Sequence, residues 1–142
     1  MSEPVFLDTV GLIALLNRDD VYHTEASRVF THIGECGRSV MTTDMVLAEV
    51  GNGLARTSLR REVGLLIDEL HTDQSATVIY ADAVRFKDGL DLYRNRDDKD
   101  WGLIDCVSFA LMKSMGTVDA FTADRHFEQA GFNCLLQTSP KR

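Results

Sequence analysis

The sequence of 142 residues contains no apolar run approaching the roughly 20 residues that a membrane-spanning helix requires, so no insertion in a bilayer is expected. Its opening residues, Met1-Ser2-Glu3-Pro4, lack the basic and apolar regions of a secretory signal, and a cytoplasmic location is expected. Cysteine is scarce and odd in number. Cys36, Cys106 and Cys134 form no C-x-x-C pair and no metal-finger spacing, which leaves reduced, mostly buried thiols as the reading. Positive charge is also short: 15 Lys and Arg against 22 Asp and Glu give a net charge of −7, which argues against a general nucleic-acid coat. An enzyme acting on nucleic acid is not excluded. Acidic side chains gathered in one cleft repel phosphate until divalent ions neutralise them, after which the same cleft attracts it. Repeats, low-complexity stretches and linkers are absent, and 44% hydrophobic with 26% charged residues is an ordinary globular balance, so one domain over residues 1–142 is expected.

What is present is an alternation of strands and helices. Val5-Phe6-Leu7 reads as a strand that stops at Asp8-Thr9, after which Leu12, Ile13, Leu15 and Leu16 recur at helical spacing. A second helix is predicted from about Tyr22 to Ile33, closed by Gly34 and Gly37. Ser39 to Thr42 forms a short strand, and Thr43 or Asp44 caps a helix whose apolar stripe is Val46, Leu47, Val50 and Leu54, with Glu49 beside it. Another helix spans about Leu59 to Leu70. Ala76 to Tyr80 is a β-branched strand, followed by an amphipathic helix with Ala83, Phe86, Leu90 and Tyr93 and by a charged loop from Arg94 to Gly102. Leu103 to Met115, nearly apolar all round, is a buried helix stopped by Gly116. Ala120-Phe121-Thr122 is the fourth strand, Asp124 starts a short helix ended by Gly131, and Cys134 to Leu136 supplies a fifth strand. Strands alternating with helices through short connections imply an α/β fold of three layers, α/β/α, with a central, mostly parallel sheet of four to five strands.

In such a sheet, functional groups collect at the carboxyl ends of the strands. Asp8 and Asp124 stand there directly. Glu49 lies one turn into the helix after the second strand, and Asp105 lies in the first turn of the buried helix, so all four acids can face one cleft. Phe109 and Met112 follow Asp105 on the same helical face, which predicts a partly buried carboxylate. Buried carboxylates need hydrogen bonds, a partner charge or a metal. Oxygen ligands without His or Cys suit a hard ion, Mg²⁺ or Mn²⁺. Each acid taken singly also has an ordinary role: Asp8 or Asp124 as a helix cap, Glu49 as a half-exposed helix side chain, Asp105 as a first-turn charge on the helix dipole. Their joint placement on four elements at one end of the sheet favours a shared site.

These same segments resemble the PIN-domain family, and the VapC-like toxins within it, over nearly the whole chain from Phe6 to Phe132. Phe6-Leu7-Asp8-Thr9 with Leu12-Ile13-Ala14-Leu15-Leu16 is similar to the family's first strand, acid and following helix. Thr42 to Val50 resembles the segment carrying its glutamate, here Glu49. Trp101 to Phe109 resembles the third acidic segment, with Asp105, and Phe121-Thr122-Ala123-Asp124-Arg125-His126-Phe127, continued to Phe132, is the most specific match. Many relatives have Ser or Thr before the third acid, where this chain has Ile104. The resemblance implies hydrolysis of RNA phosphodiester bonds with Mg²⁺ or Mn²⁺ held by Asp8, Glu49, Asp105 and Asp124, with Thr9 and Thr122 orienting the ligands. It further implies RNA as substrate, a small antitoxin protein as partner, and a homodimer, which the family often forms. Two basic groups, Arg56 with Arg60 and Arg61, and Arg94 with Arg96 and Lys99, read first as solvated surface, though either could meet an RNA backbone.

The four histidines show no mutual spacing that suggests a metal site, and His23 and His126 match family positions expected to be structural. Trp101 reads as a packing residue rather than a base-stacking platform. A haloacid-dehalogenase-type phosphate enzyme would need a second Asp where this chain has Val10, and a receiver domain would need a pair of acids after the first strand and a lysine after the last; neither pattern is present. The remaining alternatives are a catalytically silent PIN-like scaffold that binds a partner and a non-toxin nuclease that processes RNA.

Overall fold

The computed structural model of the chain describes residues 3–137, so the domain expected over 1–142 extends at both ends beyond the described residues. The elements follow in the order β1 (Val5–Leu7), α1 (Thr9–Leu16), α2 (His23–Glu35), β2 (Val40–Thr43), α3 (Asp44–Gly53) and α4 (Arg60–Thr72). After these come β3 (Ala76–Ile79), α5 (Ala83–Asn95), α6 (Leu103–Met115), β4 (Asp119–Phe121), α7 (Arg125–Gln129) and β5 (Asn133–Cys134). The strands form one sheet in the order β3-β2-β1-β4-β5, and every pairing is parallel. Among the described residues, the expected mostly parallel sheet is therefore wholly parallel and has five strands.

Successive side chains of a strand point to opposite faces, yet every residue of β1 and of β2 is buried, so both faces of the sheet's centre are covered. The apolar runs Val5-Phe6-Leu7 and Val40-Met41 are what such a doubly covered strand requires. Helix α1 lies directly on β4: a β-carbon at Gly11 would stand 2.0 Å from the carbonyl oxygen of Phe121, so only glycine permits the approach. That contact brings the start of α1 beside the end of β4. At the opposite, amino end of the sheet, Arg38 donates to Asp119 at 2.9 Å and Asn133 donates to the same carboxylate at 3.0 Å, tying β2, β4 and β5 together. Among the described residues no helix is long and apolar enough to cross a membrane. Cys106 and Cys134 are buried, while Cys36 is exposed at the end of α2.

Two local expectations change. The fifth strand is Asn133–Cys134 rather than Cys134 to Leu136, although Leu135 and Leu136 still donate backbone N–H groups to the carbonyls of Ala120 and Thr122. The larger change concerns α5, which runs on to Asn95 and turns two residues of the expected apolar stripe outward: Phe86 is 40% and Tyr93 47% exposed. Its buried residue is Gly89, where a β-carbon would meet Val107 at 2.4 Å and that residue's backbone at 2.7 Å. A glycine contributes nothing to hydrophobic periodicity, so the stripe that meets α6 is invisible to a pattern reading. The difference between two mid-helix glycines makes this testable. Gly89→Ala is expected to destabilise by about 1–3 kcal/mol through overpacking. Gly64→Ala on α4, where nothing lies within 4 Å of an added β-carbon, is expected to stabilise by about 0.4–1 kcal/mol. Denaturant midpoints of the two variants moving in the same direction would contradict this packing.

Candidate active site

Asp8 follows β1 at the N-terminal boundary of α1, but its side chain makes no capping bond. It is 3% exposed, and its Oδ2 instead accepts a 2.8 Å hydrogen bond from Thr122 Oγ1 across the sheet. The Thr122 hydroxyl is wholly buried and also accepts from the backbone N–H of Asp124 at 3.0 Å. One hydroxyl thereby fixes the carboxylate after β1 and the turn after β4. Burial pushes the Asp8 carboxyl up from 3.8 to about 7; the Thr122 bond opposes the shift, and the neighbouring charges of Asp105 and Asp124 add to it.

Asp124 does cap α7, its Oδ1 accepting from the backbone N–H of His126 at 2.9 Å. The His126 ring lies beside this cap, where Nδ1 donates to Asp105 Oδ2 at 3.3 Å and lies 3.5 Å from Asp124 Oδ1. Asp105, Asp124 and His126 thus offer three ligand atoms within 4.8 Å of one another. Asp105 is half-buried, and its carboxyl is raised by burial first and by the charge of Asp124 second, with His126 opposing. The two elements are held in register by aromatic packing. Phe109, one turn beyond Asp105, meets Phe127, the neighbour of His126, edge-to-face at 4.8 Å, and meets Trp101 in the same manner at 5.0 Å.

Glu49 is half-buried on α3, and its Oε1 accepts from Thr9 Oγ1, the residue after Asp8. The structure therefore brings Asp105 and Asp124 into one cluster, sets Asp8 where both charges act on it, and links Glu49 through Thr9. Thr9 and Thr122 each donate to one of the acids. His23 bonds the carbonyl oxygen of Ala14, as a structural residue would. His126 does not stand apart from the site. Histidine-to-histidine spacing carries no sign of this; the local signal was a histidine two positions after Asp124, which keeps the ring near that acid, while its approach to Asp105 comes from the packing of α7 on α6. Trp101 is buried and donates from Nε1 to Gln129 at 3.0 Å, a packing role, with the Arg96 guanidinium 4.9 Å from its ring centre. A hollow of about 410 Å³ beside it, lined by Leu92, Phe109 and Phe132 among others, includes none of the four acids. Arg56, Arg60 and Arg61 are exposed.

The donor set suits a divalent cation. A carboxylate buried to the degree of Asp8, bonded to a neutral hydroxyl and facing two further acids, is stabilised in its charged form by a nearby cation. Among the described residues, Asp105, Asp124 and His126 offer ligand atoms that lie together, and Asp8 lies where the charges of both acids act on it.

A wholly parallel sheet with acids collected at the carboxyl ends of its strands defines the class: an α/β domain of the kind that handles charged ligands at that edge. The family model described as the PIN domain matches residues 5–133, and the chain belongs to the PIN-domain family. It is 29% identical over 129 residues to the "23S rRNA-specific endonuclease VapC20" of Mycobacterium tuberculosis, in both strain CDC 1551 and strain H37Rv, covering 90% of this chain and 95% of that protein. The crystal structure of Mycobacterium tuberculosis VapC20, described as a toxin that cleaves the sarcin-ricin loop, superposes with a TM-score of 0.78 at 25% identity, covering 90% of this chain and 95% of that one.

The raised Asp8 carboxyl has a signed consequence for the metal-free protein. Between about pH 4 and pH 7 the native state keeps the Asp8 proton while the unfolded chain has lost it, so stability falls as pH rises through this window and levels off above it. Asp8→Asn removes that contribution. In EDTA, the denaturant midpoint of the parent is expected to fall more steeply between about pH 4 and pH 7 than that of Asp8→Asn, a difference of a few kcal/mol at most. Parallel profiles would show that Asp8 ionises as an ordinary surface acid does.

Proposed function

We propose that this chain is an endoribonuclease of the VapC type that hydrolyses RNA phosphodiester bonds with Mg²⁺ or Mn²⁺, and that it serves as the toxin of a toxin–antitoxin pair. The observation that carries the proposal is the convergence of Asp8, Asp105 and Asp124, two of them with carboxyls pushed up by burial, at the carboxyl edge of a PIN-domain sheet. A silent scaffold has no use for a carboxylate buried beside two further acids, because burying one costs stability and a partner-binding surface does not require it. The likeness to VapC20 supports the nuclease and toxin reading.

In this reading Asp8 and Asp105 hold the ion directly, and Glu49 and Asp124 hold it directly or through water or act as general base. A divalent ion bound there supplies an activated water and stabilisation of the departing oxyanion. Thr122 holds the Asp8 carboxylate in place, and Thr9 holds that of Glu49. The first RNA to test is the 23S rRNA loop that VapC20 is named for cleaving. Family membership supports a small antitoxin protein as partner, a homodimeric toxin and action in the cytoplasm, where ribosomal RNA lies.

Cleavage by the purified protein is expected to require Mg²⁺ or Mn²⁺ and to stop in excess EDTA. Asp105→Asn is expected to lower the rate at least about a hundredfold while leaving the metal-free fold as stable as the parent or slightly more so. The parent is further expected to arrest growth on expression and the variant not to. Undiminished cleavage in EDTA, or a variant that cuts as fast as the parent, would overturn the mechanism.

A further inference from the structure

We propose that His126 is a direct ligand of the divalent ion bound between Asp105 and Asp124, and that this nitrogen makes the site favour Mn²⁺ over Mg²⁺. The inference rests on the metal-dependent reading above and departs from the oxygen-only ligand set expected from the sequence.

Geometry is the first argument. Two ligand atoms bound side by side on a six-coordinate ion at about 2.1 Å stand roughly 3.0 Å apart, and on a four-coordinate ion roughly 3.4 Å apart. His126 Nδ1 lies 3.3 Å from Asp105 Oδ2 and 3.5 Å from Asp124 Oδ1, and one atom from each of the three residues falls within a 4.8 Å span. The ring nitrogen thus makes two edges of a coordination shell with the acids at near-ligand spacing, and the third edge, between Asp105 and Asp124, lies within the 4.8 Å span and closes as the two carboxylates turn toward an ion.

Orientation is the second. The backbone N–H of His126 is bound by Asp124 Oδ1 at 2.9 Å, and the adjacent Phe127 is buried against Phe109 and Phe6, so the turn that carries the ring is anchored on both sides. A half-buried imidazole held this way loses little freedom on binding. Without a metal, Nδ1 carries the hydrogen that a carboxylate can accept; with one, that hydrogen moves to Nε2 and the Nδ1 lone pair faces the cation. The other histidines are engaged elsewhere: His23 with Ala14, His71 with Ile67 and Tyr80, His32 beside Cys36.

Chemistry sets the consequence. Mg²⁺ prefers oxygen and retains its water, so an imidazole adds little to its affinity, whereas a transition ion gains from nitrogen. Of the two ions that suit a carboxylate-rich site of this kind, Mn²⁺ is the one that gains from the ring as well. A histidine that merely pairs with the acids would give no such discrimination between ions.

The test is the electron spin-echo spectrum of the full chain loaded with one equivalent of Mn²⁺, together with calorimetric titrations of Mn²⁺ and Mg²⁺. The parent is expected to show ¹⁴N modulation from a bound imidazole, and His126→Gln and His126→Asn to lose it. In both variants the Mn²⁺ affinity is expected to fall at least about tenfold and the Mg²⁺ affinity by less than about threefold. Mn²⁺ bound to the parent without nitrogen modulation, modulation that persists in the variants, or equal losses for both ions would overturn the inference and leave the metal-dependent reading standing. A parent that binds no Mn²⁺, or binds it unchanged after Asp105→Asn, would overturn both. If neither His126 variant folds, the parent's spectrum with ¹⁵N-histidine incorporated decides, because its modulation must then take the ¹⁵N pattern.

Discussion

The two ends of the sheet treat acids differently, and the buried carboxylate of Asp8 is the constraint on which the site depends. At the amino end, Asp119 is paired with Arg38 and bonded by Asn133, an arrangement that satisfies the charge within the chain. At the carboxyl end, Asp8 is more deeply buried, yet its partner is the neutral hydroxyl of Thr122, and the charged groups that act on it are two more acids. Taking a carboxylate from water without a cation is costly. A fold that keeps this arrangement spends stability at one edge, and a divalent ion is the simplest means of recovering it.

Much of the remaining structure serves to keep that edge in order. The close approach of Gly11 to Phe121 sets α1 on β4, which places Asp8 within reach of Thr122. The contact of Phe109 with Phe127 then locks α6 to α7, so that Asp105 and His126 face each other although 21 positions separate them. Aromatic packing below the site and a shared hydroxyl within it restrict the same few side chains from two directions. Such restriction is what preorganises ligands before an ion arrives.

Most of this was legible in the sequence because the determining signals were local. The doubly buried β1 showed as an uninterrupted apolar run, Asp8 and Asp124 stood at strand ends, and Thr43 capped α3 as its type suggests, accepting from Val46 N–H. The outward face of α5 was misread because a glycine directs the packing there and the large residues do not. The approach of His126 to Asp105 was missed because it depends on tertiary packing between α6 and α7, which no spacing along the chain encodes. The cap reading divided in the same way: Asp124 caps its helix while also joining the cluster, whereas Asp8 caps nothing.

The central claim is that a divalent ion relieves the repulsion among these carboxylates, and thermal unfolding of the parent across Mn²⁺ concentrations tests it most directly. An ion that binds only the native state adds about 2.7 kcal/mol at a hundred times its dissociation constant. The unfolding midpoint is therefore predicted to climb steadily from its value in EDTA as Mn²⁺ is raised, with the rise largely lost in Asp8→Asn. A midpoint that is the same in EDTA and in saturating Mn²⁺ would contradict the account.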